Sequence, residues 1–405
     1  MVNMLLACPR GIWGYDMLNG PFPPWPNFTQ EEADAVSRVL LSNKVNYWTG
    51  NEGREFEKEF AEFAGTSHAI AVANGTLALD LALYGLGIGA RNGGSDCDEV
   101  IVTPRSFIAS VSAIINAGAR PVFADVERNS QNITPDTVQP MLSKNTRAIL
   151  CVHFAGYPCD MDGFRDLIGP RDIRLIEDCA QAHGAQYKGR PVGGLGDVAA
   201  WSFCQDKIMT TGGEGGMVTC NDIDLWKRMW AFKDHGKSWD AVYKRDHPAG
   251  FRWVHENIGT NWRMTEMQSA IGRIQLGRMP AWHLLRKKNA KDIHDILSPY
   301  SGSNGWLRLF NNSDPGWVHG WYKYYAFVRL ENLPSGIGRD DVITRMVEQG
   351  LPCMQGSCSE IYLERAFDRN GFRPSKRLPV ARELGETSLM FLLHPGVKKV
   401  SVELP

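Results

Sequence analysis

Between residues 68 and 220 short apolar runs alternate with stretches in which apolar residues recur at helical spacing. The runs predict strands over 69–73, 100–103, 121–126, 148–154, 174–179 and 198–204, and the periodic stretches predict helices over 76–87, 107–117 and 161–168. Strands that read as nearly unbroken apolar runs, separated by helices, belong to a mostly parallel sheet covered on both faces. In such a sheet, ligands bind beyond the carboxyl ends of the strands, so the residues after each strand are the first place to look for chemistry.

Two further helices are predicted over 222–233 and 263–298, the second with apolar residues at 264, 267, 271, 274, 276 and 279. Beyond about residue 300 the texture changes. A loop-rich stretch, 301–317, precedes an aromatic strand over 321–328 and a helix over 339–349 that stops at Gly350. The expected fold class is therefore α/β, with a large unit over 1–260, an arm over about 1–30, and a linking helix and smaller α+β domain over 261–405. At 405 residues the chain exceeds the size at which a single core stops growing, which agrees with two domains.

Composition narrows the function classes. Hydrophobic residues make up 43% and charged residues 22%, with a formal net charge of -1, so neither nucleic acid nor a membrane is an expected partner. The densest basic run, Arg286-Lys287-Lys288, reads as the solvated face of a helix. Nine cysteines, none in a Cys-x-x-Cys pair, read as reduced residues of a cytoplasmic protein with no disulfide frame and no metal site. The first residues lack a basic leader, and no apolar stretch reaches the roughly 18 to 20 residues needed to span a bilayer.

Candidate chemistry sits at the predicted strand ends. Lys207 lies five residues after Ser202 and just before Gly212-Gly213-Glu214-Gly215-Gly216, where apolar walls and a glycine bend can make an amine a nucleophile. Asn74-Gly75-Thr76 opens a helix, where free N–H groups, a missing side chain and a hydroxyl suit an anion. Phe107 could lay its ring over whatever that turn holds. Asp178 ends a strand, and a carboxylate there is costly unless it meets a cation, with Gln181 and His183 as neutral hydrogen-bonding neighbours. Taken singly, these are also a surface lysine, a capped turn, a core ring and an N-cap aspartate. Together, a phosphate cradle, a stacking ring, a strand-end aspartate and a lysine after a serine are the parts that pyridoxal 5′-phosphate requires.

The chain resembles the sugar aminotransferases of the DegT/DnrJ/StrS family, built on the fold type I scaffold of aspartate aminotransferase. The resemblance is strong over roughly 25–300 and looser beyond. It is carried by Gly53-x-x-Phe56-Glu57 with Phe60-Ala61, Ala73-Asn-Gly-Thr76-Leu-Ala-Leu79, Thr103-Pro-x-Ser-Phe107, Ile176-Glu-Asp-x-Ala-Gln-Ala-His-Gly-Ala185, Trp201-Ser-Phe-x-x-x-Lys207 with Gly213-Glu-Gly-Gly216, and Gly259-x-Asn261-x-Arg263-Met-Thr-Glu266. It implies that Lys207 forms the internal aldimine with pyridoxal 5′-phosphate and that Asp178 pairs with the pyridine nitrogen. Phe107 would stack on the ring and Gln181 would hydrogen-bond its phenolic oxygen. Gly75, Thr76 and Ser202 would bind the phosphate, and Asn261 would reach in from the other subunit of a homodimer.

The implied activity is transamination, with L-glutamate as the usual donor and a keto-sugar as acceptor, in amino-sugar synthesis for a surface polysaccharide of the lipopolysaccharide type. Cys204 stands where relatives commonly have histidine, and retention of Lys207 speaks against the dehydratase branch. The 353–363 segment, Cys-Met-Gln-Gly-Ser-Cys-Ser-Glu-Ile-Tyr-Leu, replaces a pattern that helps shape the sugar pocket. A nucleotide-linked keto-deoxy sugar is the expected substrate, with a nucleotide-free acid such as 8-oxo-3-deoxy-octulosonate as alternative. A noncatalytic cofactor-binding regulator would lack the lysine or carry a DNA-binding module, and this chain does neither.

Overall fold

The computed structural model describes residues 25–246, 252–311 and 315–394. Its centre is a sheet of seven strands: β1 (His68–Val72), β2 (Glu99–Val102), β3 (Arg120–Phe123), β4 (Thr146–Val152), β5 (Arg174–Asp178), β6 (Val198–Ser202) and β7 (Gly216–Cys220), in the order β1-β7-β6-β5-β4-β2-β3. The pairs from β3 to β6 are parallel, whereas β7 is antiparallel to both of its neighbours. The hydrophobic pattern predicts six of these strands and misses β7, which returns directly from the glycine turn. Because β7 reverses between them, β1 and β6 run the same way. The carboxyl ends of β1, β2, β4, β5 and β6 therefore share one edge.

Strand alternation divides the core in two. Ala148, Leu150 and Val152 of β4 face a layer built from helices α3 (Gly75–Leu86), α4 (Ala109–Asn116) and α6 (Ile223–Lys233). Ile149 and Cys151 face the other layer, which includes α2 (Glu52–Ala64) and α5 (Met161–Ile168). Several family motifs turn out to hold this frame. Helix α7 (Glu266–Leu297) starts at a Thr265 cap, and its first residue accepts hydrogen bonds from the N–H groups of Glu52 (2.6 Å) and Gly53 (3.2 Å) at the start of α2. Further along α7, a side chain at Gly272 would stand 2.6 Å from the Phe56 ring, so glycine permits the two helices to touch.

A second, antiparallel sheet contains β8 (Leu307–Leu309), β9 (Lys323–Val328), β10 (Cys353–Met354) and β11 (Ser388–Leu392), in the order β8-β9-β11-β10. Helix α8 (Arg339–Glu348) packs on it, and α9 (Pro379–Thr387) places Ala381 and Leu384 in the core under the large sheet. The expected helix over 107–117 starts at Ala109, which leaves Phe107 outside it.

Arg286 corrects the reading of the basic run. Lys287 and Lys288 are exposed, but Arg286 is 2% exposed, faces the Trp321 and Tyr322 carbonyls (3.4 and 3.5 Å), and lies over the Trp25 ring. All eight described cysteines are free, while Cys8, most of the expected arm and the leader region lie outside the described residues. Among the described residues no helix is long and apolar enough to cross a membrane.

Candidate active site

The shared strand edge gathers the candidates. After β1, Asn74 caps α3 by accepting the Leu77 N–H (3.0 Å), so the next backbone N–H groups, including those of Gly75 and Thr76, lie at a helix start. Ser202, the last residue of β6, lies against Gly75. A Cβ added there would stand 2.5 Å from the Ser202 Cβ and 2.9 Å from its Oγ. Gly216 completes the close approach, because its Cβ would fall 2.4 Å from the Asn74 carbonyl oxygen. Helix-start N–H groups, a serine hydroxyl and a surface without side chains form a cradle for a phosphate. Asn74 is thus the cap of the helix that opens this cradle.

Asp178 ends β5 with its side chain buried. Its Oδ2 accepts from Ser110 Oγ (2.8 Å) and its Oδ1 from the Ala180 N–H (3.1 Å). Burial pushes its pKa up, and these two donors, together with the charge of Lys207, only partly offset that. It caps no helix. A carboxylate left short of positive charge at a strand end fits a protonated pyridine nitrogen.

Glu177, one residue earlier, points to the other face and is fully satisfied. Its oxygens accept the N–H groups of Gly193 (2.9 Å), Leu195 (2.8 Å) and Gly196 (2.7 Å) and meet His153 Nε2 at 3.0 Å. The Cys159 N–H points at His153 Nδ1 (3.0 Å), so that nitrogen carries the lone pair and Nε2 donates to the carboxylate. Burial pushes Glu177 up, yet these donors hold it below the ordinary carboxyl range. Glu177, His153 and Cys179 have the spacing of metal ligands, but the glutamate oxygens are already taken.

Gln181 accepts the Ala155 N–H on Oε1 (2.7 Å), which fixes the amide so that its Nε2 end is available as a donor. His183 is 0% exposed, packed between the Trp201 and Phe203 rings, and burial draws its pKa down to about 3. It is a neutral ring within the core. Phe107 is 66% exposed, so it is not a core aromatic, and its face is open to a ligand.

Lys207 follows β6 and is mostly covered, its side chain 15% exposed. Its Nζ lies 3.3 Å from Asp206 and 3.5 Å from the Tyr322 hydroxyl, which itself donates to Asp206. The Trp25 indole N–H donates to the Lys207 carbonyl (3.0 Å). Asn261 pairs with Asp234 in an isolated backbone bridge and is exposed. Sequence reasoning singled out Gly75, Thr76, Phe107, Asp178, Gln181, Ser202, Lys207 and Asn261 but missed Ser110, Asp206 and Tyr322, which contact Asp178 or Lys207. Only Asp206, adjacent to the lysine, carried a local signal.

Known proteins resemble this chain over much of its length. Residues 26–403 match the model of the DegT/DnrJ/EryC1/StrS aminotransferase family. The chain is 39% identical to GDP-perosamine synthase of Escherichia coli O157:H7 over 66% of this chain and 69% of that one. It superposes on the X-ray structure of the aminotransferase from Psychrobacter cryohalolentis with a TM-score of 0.90 and 57% identity, covering 94% of this chain and 95% of that chain. The Streptomyces venezuelae enzyme DesV, solved in complex with a ketimine intermediate, gives a TM-score of 0.78 and 30% identity over 95% of this chain and 92% of that chain.

Proposed function

We propose, from the premise that this chain belongs to the DegT/DnrJ/EryC1/StrS aminotransferase family, that it aminates a nucleotide-linked keto-deoxy sugar with L-glutamate as donor. It is a sugar transaminase with pyridoxal 5′-phosphate as cofactor. When bound, the cofactor supplies an electron sink for the carbanion formed as a Cα–H bond breaks.

The chain's own residues do the rest. Lys207 would hold the cofactor covalently at rest and, as a free amine, would take and return the proton at the substrate carbon. Asp178 would keep a proton on the ring nitrogen, Phe107 would orient the ring, and Gln181 would donate to the phenolic oxygen. Gly75, Thr76 and Ser202 hold the phosphate. Asn261 adds a contact from the partner subunit of a homodimer. The large and small units divide near residue 260, the enzyme works in the cytoplasm, and its product serves a lipopolysaccharide-type surface polysaccharide.

The observation that carries the site assignment is Asp178, a buried carboxylate whose donors leave it short of positive charge beside Lys207. The substrate reading is supported by the likeness to a GDP-perosamine synthase. A panel of keto-sugars with and without a nucleotide tests it. Glutamate-dependent amination of a nucleotide-linked sugar is expected, and amination confined to nucleotide-free acids would overturn the substrate reading. Sedimentation of the holo-protein tests the dimer: Asn261→Ala is expected to release cofactor more readily, and a strictly monomeric wild type would refute the cross-subunit contact.

A further inference from the structure

Three basic side chains converge on residue 322. Lys207 Nζ lies 5.2 Å and Lys323 Nζ 4.5 Å from the centre of the Tyr322 ring, and the Arg286 guanidinium meets the Tyr322 carbonyl. Two of the three already have a part. Lys207 is the reactive amine, and Arg286 is sealed beneath Trp25 against backbone carbonyls. Lys323 has no such explanation.

Its position is defined by β9, in which it is the first residue and pairs with Leu392. Alternation puts it on the same face as Tyr325, which packs against Phe154 and accepts the Ser357 N–H. Lys323 and Ala155 line one small cavity, and Ala155 is the residue whose N–H orients Gln181. The amine is linked to the reacting side through the Tyr322 ring, near which Lys207 Nζ also lies. No carboxylate of the described residues lies within ion-pair distance of it. Asp206, the acid nearest in effect, is engaged by Lys207 and Tyr322.

An ammonium that is half-buried, lacks a carboxylate partner and stands beside two other cations needs an anion. The cofactor phosphate has its own cradle at Gly75 and Ser202. We propose that Lys323 receives a carboxylate of the substrate at this site. The proposal rests on the transaminase reading above, and two substrates could bring that carboxylate: the amino-acid donor or a sugar acid acceptor.

Its titration adds support. Burial draws the Lys323 amine down to about 7, with Asp206 opposing the effect and Arg286 and Lys207 adding to it, while Tyr322 supplies the neighbouring ring. The ammonium is thus fully formed only below that pH, so carboxylate affinity is expected to fall as pH rises through neutrality.

The test follows the visible band of the holo-protein as each half-reaction is titrated. Lys323→Met is expected to raise the half-saturating concentration of a carboxylate substrate about 10- to 100-fold, while the resting band and the melting temperature stay in place. Lys323→Arg should stay within about threefold of wild type and push the alkaline loss of affinity to higher pH. L-glutamate is the donor arm. In the acceptor arm, 8-oxo-3-deoxy-octulosonate carries a carboxylate and a GDP-linked 4-keto-6-deoxyhexose does not. A shift with glutamate alone assigns the carboxylate to the donor, and a shift with the octulosonate alone assigns it to a sugar acid. No shift in either arm, or loss of the resting band in Lys323→Met, overturns the proposal while leaving the transaminase reading intact. A wild-type protein that responds to no amino donor removes both.

Discussion

Glu177 and Asp178 are consecutive carboxylates at the end of one strand, and the pockets on the two sides of the sheet treat them oppositely. Behind the sheet, three backbone N–H groups from 193–196 and the His153 ring surround Glu177 with donors. In front, Asp178 has one hydroxyl and one N–H. The first is complete without a ligand and serves the frame. The second is left short, and that deficit beside Lys207 is what a protonated cofactor ring would fill. Function lies in the carboxylate that the fold does not satisfy.

The largest expected effect breaks the front pocket at its centre. Lys207→Ala should abolish the visible cofactor band and lower turnover by at least ~10³-fold, since both the covalent anchor and the proton carrier are gone. An unchanged spectrum would sink the assignment. Next, Asp178→Asn should lower turnover by about 10²- to 10⁴-fold with cofactor still partly retained. Near-normal rates would reject the role given to the ring nitrogen.

Glu177→Gln sharpens the contrast by acting on stability instead. Removing a charge from a buried, fully bonded cluster should cost about 3 kcal/mol in denaturant unfolding, with turnover below the melting range changed less than tenfold. The smallest effect has the opposite sign. Cofactor-free Asp178→Asn should unfold no more easily than wild type and gain up to about 1 kcal/mol, because a poorly compensated buried charge is removed.

The pH dependences separate the two acids again. Glu177, held low, contributes stability that is present above its unfolded pKa and lost as pH falls through its folded one, so Glu177→Gln and wild type should converge in acid. Asp178, held high, costs stability while ionised, and that cost disappears as pH falls through its folded pKa. Parallel melting curves for the two variants across pH would erase the distinction.

Much of this site was legible along the chain because strand-end residues and glycine turns are local signals. Gly75, Ser202, Asp178 and Lys207 all sit within a few residues of a predicted strand end. The difference between Glu177 and Asp178 was not legible. It depends on a loop at 193–196, a serine on α4 and a histidine after β4, all far away in sequence. Arg286 was misread for the same reason: beside two solvated lysines it looks like a surface residue, and only the packing of α7 against β9 and Trp25 buries it. Phe107 went the other way, an aromatic that its pattern could equally have placed in the core. Lys323 carries no motif, and its meaning comes from the absence, among the described residues, of a carboxylate at ion-pair distance.

The central claim is that Asp178 is held in reserve for a cation on the cofactor. It is tested most directly by the ¹⁵N resonance of ring-labelled pyridoxal 5′-phosphate bound to wild type and to Asp178→Asn at about pH 8. The account predicts a protonated ring nitrogen in the wild type and an unprotonated one in the variant. An unprotonated nitrogen in the wild type would contradict it.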